Sequence, residues 1–371
     1  MAPNWFNVIC EVSAARGCEA VLRLGIVGCN FGLAVHMPAF RADRRCEVVA
    51  LAGSNLPRAR ELARAANVPS AYGDWRALVD DPAVQAVSIA VPPSLQSQIA
   101  TDALALGKPV FAEKPMASTI EEASAMLHKA QVSALPAMID FNFHQVASWQ
   151  RAKTMLDEKM IGAVRHVVVN WHVETAAIQK RISTWKTSKA DGGGVLANFV
   201  SHCFHYLEWF CGPIARLDVR FAGLPGHDEL QTTTAMIVEF AGGQLGSLSV
   251  SCASYLGSGH RIEFYGEDGT LALYNPGPDY MRGFNLLHAK RPAAAMARID
   301  VEDKLDAQYP DGRIAPVSRL AKRFIDAIES GIPTRPNFQD GYRVQQLIAA
   351  AECSHRHGAA IDVSIDGEMH A

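Results

Sequence analysis

The spacing of apolar and polar positions changes once along this chain, near residue 145. Before it, short apolar runs at 22–27, 46–52, 84–91, 109–112 and 137–143 alternate with stretches of helical period at 34–42, 56–66, 94–106 and 120–130. A run that is apolar throughout has no face suited to water, so each predicts a strand covered on both sides. Strands alternating with helices predict a doubly wound parallel α/β sheet. After residue 145 a helical stretch at 147–158 leads into an alternating, half-buried strand at 165–173 and a second helix at 197–210. Strand-like segments follow at 216–222, 232–240, 244–251, 260–266 and 270–274, with the turns Ala241-Gly242-Gly243 and Glu267-Asp268-Gly269 joining hairpin partners. This half predicts an α+β domain with a largely antiparallel open sheet, closed by helices at 315–330 and 342–355.

Composition narrows the picture. At about 100–200 residues per domain, 371 residues make roughly two domains, expected at 22–143 and 144–371. Lys and Arg number 35 against 38 Asp and Glu, a net charge of −3, which argues against a nucleic-acid or membrane-surface partner. No apolar run reaches the roughly 18 residues a membrane span needs. The eight cysteines form no C-x-x-C pair and read as reduced thiols of a cytoplasmic protein. Residues 1–21 lack a basic segment followed by an apolar one, so they are not read as a secretion signal but as a disordered extension. Cys353, His355 and His357 lack a fourth ligand at metal spacing, and no metal is expected.

The first strand runs into Gly28-Cys29-Asn30-Phe31-Gly32 and then a helix. A glycine turn between strand and helix lets the backbone approach a pyrophosphate seated on the helix N-terminus. Asn30 and Leu33 replace the second and third glycines of G-x-G-x-x-G; Asn tolerates positive φ, so Asn30 is expected to keep the turn. Gly28, Asn30, Phe31 and Gly32 are therefore candidate cofactor residues. The second strand ends in Gly53-Ser54-Asn55 with no carboxylate for the ribose hydroxyls, and Arg58 follows. Ser54 and Arg58 suit a 2′-phosphate, so NADP is expected, with NAD possible.

Further on, Ala90-Val91-Pro92-Pro93-Ser94, Gly107-Lys108-Pro109, the triplet Glu113-Lys114-Pro115 and Gly192-Gly193-Gly194-Val195-Leu196-x-Asn198-x-x-x-His202 stand in order. Together they resemble the Gfo/Idh/MocA family of NAD(P)-dependent oxidoreductases over about residues 22–365. The resemblance implies a Rossmann domain followed by an α+β substrate-binding and oligomerisation domain. It implies action on sugars, nucleotide sugars or polyols, and a homodimer or homotetramer paired through the second sheet. It places Lys114 beside nicotinamide and substrate, where an ammonium favours an alkoxide-like state and can relay a proton. His202 becomes the general acid/base and Asn198, where the family usually has Asp, an orienting amide. Pro92, Gln96, Glu113 and Lys114 itself join the cofactor residues, and Trp185-Lys186 the substrate residues. Asn142, at the carboxyl edge of the strand at 137–143, is a further substrate candidate, as is His172; of His172 and its neighbour Trp171, one faces the sheet surface. Val200, His205 and Gln96 depart from the family pattern, which leaves two alternatives open: a cofactor-binding member without turnover, or a sugar–sugar oxidoreductase with non-dissociating NADP.

Overall fold

The computed structural model describes residues 21–224, 227–363 and 369–370; the extension expected to be disordered falls, but for Val21, outside them. Strands β1 (Leu22–Val27), β2 (Cys46–Ala52), β3 (Ser70–Tyr72), β4 (Ala86–Ile89), β5 (Val110–Ala112) and β6 (Ala137–Ile139) form one parallel sheet in the order β3-β2-β1-β4-β5-β6. Chain order reverses between β1 and β4, which opens a crevice at the carboxyl ends of these strands. The apolar runs are buried on both faces, as at Leu24, Ile26, Val87, Ile89, Val110 and Phe111. β3 escapes the sequence reading because Ser70-Ala71-Tyr72 is too short to show a period. The sixth strand stops at Ile139, short of the expected 143, and Phe143–Gln145 forms a 3₁₀ turn instead.

The second sheet is mostly antiparallel. Its order is β14 (Ala297–Ile299), β13 (Asn285–Lys290), β12 (Gly269–Asn275), β11 (Gly259–Gly266), β7 (Val164–His172), β10 (Leu245–Ser251), β9 (His227–Phe240), β8 (Ile214–Leu224), β15 (Ile361–Val363) and β16 (Met369–His370). Among its pairings only β7 with β10 is parallel. Along β7, Val167, Val169 and Trp171 are buried under the helices while the residues between them stay more open. This is the alternation of a sheet with one covered face.

The expected division at residue 144 needs one correction. The helix Ile314–Ser330 belongs by sequence to the second half, yet it packs on the first sheet. Its buried stripe Val317, Leu320, Ala321, Phe324, Ile325 follows helical spacing, and Phe324 meets Phe40 and Phe111 at ring separations of 6.1 and 5.8 Å. Full burial of each such ring stabilises by roughly 1.5–3 kcal/mol, so the C-terminal half locks onto the N-terminal one. Among the described residues no helix is long and apolar enough to cross a membrane.

Candidate active site

The turn after β1 is built for close approach. Gly28 sits at φ 118°, and a Cβ there would stand 2.1 Å from the Ala90 carbonyl oxygen. A Cβ on Gly32 would press on Ile26 at 2.8 Å. Asn30 corrects the sequence argument: it is not among the residues at positive φ. Its carbonyl instead starts the first helix by accepting from Ala34 N–H at 3.0 Å. That helix opens with a π turn, Gly32–His36, two residues before its expected start. Phe31 lies under the Arg313 guanidinium at 5.3 Å. The arrangement fits a dinucleotide: a glycine turn that a Cβ would fill, at the topological switch point, running into a helix N-terminus.

At the end of β2, Asn55 is spent as a helix cap, accepting from the Arg58 N–H at 3.0 Å. Ser54 and the Arg58 side chain are exposed, and among the described residues the guanidinium has no ion-pair partner. It lies close to the turn, because its charge counters the upward push of burial on the Cys29 thiol. Pro92 caps the helix Pro93–Ala105. Gln96, expected at the cofactor, is fully buried and turns its amide to the carbonyls of Glu113, Pro115 and Met116, the last two at 3.0 Å. It braces the Glu113-Lys114-Pro115 loop, whose Lys114–Pro115 peptide is cis.

Lys114 reaches across to the second half of the chain, its Nζ donating to the Asn198 carbonyl at 3.0 Å. Burial and the neighbouring Lys186 ammonium push its pKa down to about 8, against the opposing pull of Glu113 and Asp140. Asn198 lies in a second π turn, Leu196–Val200, which leads into the helix Ser201–Cys211; π turns recur at functional sites. His202, four residues on, is buried with its ring edge-on to Phe143 at 4.8 Å and near Phe141 and Trp171, each at 6.3 Å. Burial first, then the charge of Lys114, holds its pKa well below the usual value. Neither nitrogen has a hydrogen-bond partner among the described residues, which leaves a neutral imidazole with a free lone pair.

The triple glycine explains the Trp185-Lys186 position. A Cβ on Gly193 would stand 2.3 Å from the Trp185 carbonyl, and Gly194 N–H bonds the Lys186 carbonyl at 3.0 Å. The turn thereby carries Lys186 close enough to act on Lys114. Asn142 is buried just beyond β6, its Oδ1 without a partner among the described residues. His172 is the exception among the candidates. Trp171 takes the covered face, so His172 falls on the open one, bonded to Ser249 Oγ at 2.9 Å. It is not brought to the other residues.

Sequence reasoning missed His36, Ser88, Asp140, Tyr280 and Arg313. His36 Nδ1 lies 2.7 Å from Ser88 Oγ, and its Nε2 lies 3.0 Å from Glu113 and 3.6 Å from Asp140. Tyr280 is near enough to Glu113, Asp140 and Arg313 to feel all three charges. Asp140 alone left a signal, an acid inside the apolar run 137–143.

Two family models match the chain: an oxidoreductase family with an NAD-binding Rossmann fold over residues 22–141, and the GFO/IDH/MocA C-terminal domain over residues 149–272. An uncharacterized oxidoreductase of Synechocystis sp. is 30% identical over 358 residues, covering 92% of this chain and 96% of its own. The chain belongs to the Gfo/Idh/MocA oxidoreductase family. This family member is also 23% identical to levoglucosan dehydrogenase of Pseudarthrobacter phenanthrenivorans, over 92% of this chain and 98% of that one. A solved levoglucosan dehydrogenase in complex with NADH superimposes with a TM-score of 0.82 at 23% identity, covering 92% of this chain and 99% of that one. An oxidoreductase domain protein from Kribbella flavida does so with a TM-score of 0.82 at 25% identity, over 93% and 100%. The fold expected from the sequence is thus established, and the protein is an NAD-dependent oxidoreductase of this family.

Proposed function

We propose that this oxidoreductase moves a hydride between nicotinamide and the CH–OH carbon of a sugar, nucleotide sugar or polyol, with Lys114 and His202 handling the proton. The observation that carries the reading is the bond from Lys114 Nζ to the Asn198 carbonyl, which joins the two halves of the chain one turn before His202. Bound NAD(P) supplies the hydride acceptor or donor, chemistry that no side chain here provides. In the oxidative direction the neutral His202 imidazole takes the hydroxyl proton. The Lys114 ammonium favours the alkoxide-like oxygen on the carbon that gives up its hydride. Asn198, whose side-chain amide has no partner among the described residues, orients a second hydroxyl, and Asn142, Trp185 and Lys186 complete the substrate wall. In the reductive direction His202 returns the proton.

NADP is the proposed cofactor, because β2 ends without a carboxylate and Arg58 stands exposed beside the turn, without an ion-pair partner among the described residues. Relatives acting on sugars support the substrate class: levoglucosan dehydrogenase is solved with NADH and levoglucosan and with NADH and L-sorbose. The open face of the second sheet, with Ile237 56% and Tyr265 36% exposed, supports pairing of copies into a homodimer or homotetramer. The test is to titrate NADPH and NADH by nicotinamide fluorescence, then screen sugars, nucleotide sugars and polyols by absorbance. NADPH should bind at least about tenfold tighter (about 1.4 kcal/mol), and Arg58→Ala should remove the gap. Tighter NADH binding overturns the cofactor assignment; cofactor binding with no turnover across the screen overturns the reaction.

A further inference from the structure

Of the four cation–ring contacts among the described residues, three are local: Arg76 with Trp75, Lys186 with Trp185, and Arg261 with Tyr274 on the neighbouring strand. The fourth joins the two halves of the chain, Arg313 over Phe31 at 5.3 Å. Both ends of this contact are fixed by the fold. Phe31 lies in the nucleotide turn, and the first helix starts from it. Arg313 is the residue from which the helix Ile314–Ser330 starts. That helix is anchored on the first sheet by its buried stripe, Val317, Leu320, Ala321, Phe324 and Ile325. Packing remote from the guanidinium therefore holds it against the turn.

Arg313 is also oriented in place. Asp311 takes one edge of its fork, accepting from Nε at 2.9 and 3.1 Å and from Nη2 at 2.6 Å. Tyr280 is the other polar neighbour. The side chain keeps 31% exposure, so the guanidinium is still reachable by a ligand. A partly exposed ion pair between residues two apart contributes little to stability, and it does not need a ring from the other half of the chain. A planar guanidinium held on one edge, beside a turn that seats phosphates, is suited to donate to a phosphate oxygen with its remaining N–H groups.

We propose that Arg313 is a phosphate clamp for the dinucleotide: it reaches from the second half of the chain over Phe31 and donates to the pyrophosphate seated on the first helix. The inference goes beyond the reaction and the cofactor preference proposed above, and it holds for NAD and NADP alike. It gives the two arginines different tasks. Arg58 reads the phosphate that only NADP carries, and Arg313 holds the phosphates that both carry.

Binding tests this without turnover. NADH and NADPH are titrated on the full-length protein by nicotinamide fluorescence. ADP-ribose, which keeps the pyrophosphate and lacks nicotinamide, is titrated by calorimetry. Arg313→Gln should weaken all three by roughly tenfold, the loss of one charged hydrogen bond, and leave the ratio of NADPH to NADH affinity within twofold. Arg313→Lys, which keeps the charge and loses the fork, should weaken all three by at least threefold. A change below threefold in Arg313→Gln overturns the proposal. So does a loss confined to NADPH, which places the guanidinium at the 2′-phosphate, or a loss that spares ADP-ribose, which places it at the nicotinamide. If Arg313→Gln does not fold, as read by circular dichroism, Arg313→Lys decides, and unchanged binding of the three ligands overturns the proposal. A failed substrate screen refutes the reaction alone, and tighter NADH binding by the wild type refutes the NADP preference alone, because neither touches an equal loss across the three ligands.

Discussion

Lys114 bonds the Asn198 carbonyl one helical turn before His202, and the surroundings of the lysine and the histidine are opposites. Lys114 is set among ions: Glu113 and Asp140 pull on its proton from one side and Lys186 repels it from the other. His202 is set among rings, with Phe143, Phe141 and Trp171 around it and, among the described residues, no hydrogen bond to fix it. Both groups are shifted toward their neutral forms, by different means. For the lysine, opposed charges limit the effect of burial and leave its pKa at about 8. For the histidine, burial acts almost unopposed and the nearby cations add to it. A site holding a proton donor and a proton acceptor in one pocket needs environments that separate their affinities, and here charge does it on one side and desolvation on the other.

The largest expected effect comes from breaking either side at its centre. Lys114→Ala and His202→Ala should each lower kcat/KM by roughly 10²–10⁴-fold, the range for losing a general acid or base. Stopped-flow absorbance of the nicotinamide checks this, and a variant with kcat intact removes that residue from the mechanism.

The two linings should respond to different perturbations. Phe143→Ala opens a cavity on the aromatic side and should destabilise by about 3–5 kcal/mol at every pH. His36→Gln should act through pH. The pull of the carboxylates overrides burial and raises His36 from 6.5 to about 9. A raised folded-state value means stability that is fully present below about pH 6.5 and is lost as pH rises through 9. Wild type should therefore weaken across that window, and His36→Gln should be less stable at pH 6 and lack that slope. Chemical denaturation at several pH values reads both, and parallel pH curves for wild type and His36→Gln would refute the ionic account. The smallest effect belongs to His172→Ala, which should leave kcat/KM within twofold because the residue lies on the open sheet face; a larger loss would place that face in catalysis.

Much of this was legible in the sequence because it is local. Gly28 and the triple glycine mark places where a Cβ has no room, and that requirement is written in residue type. The i, i+4 spacing of Asn198 and His202 follows from helical period, and the apolar runs from burial on both sheet faces. The failures are also specific. Asn30 resembled a left-handed turn residue, yet Gly28 alone supplies the positive φ. Gln96 had the position of a cofactor ligand, yet three carbonyls of the loop beside it claim its amide.

The sequence by itself determined the two-part architecture and the nucleotide turn, since each depends on neighbours a few residues apart, while its family resemblance singled out Lys114 and His202. Tertiary structure alone decided the rest. Alternation along β7 allowed either Trp171 or His172 to face inward, and only the packing of helices on the sheet chose Trp171. His36, Ser88, Glu113 and Asp140 are scattered along the chain and carry no common motif; they meet because parallel strands bring their carboxyl ends side by side. Their charges matter only there, because electrostatic coupling is strong where water is excluded and weak along an unfolded chain.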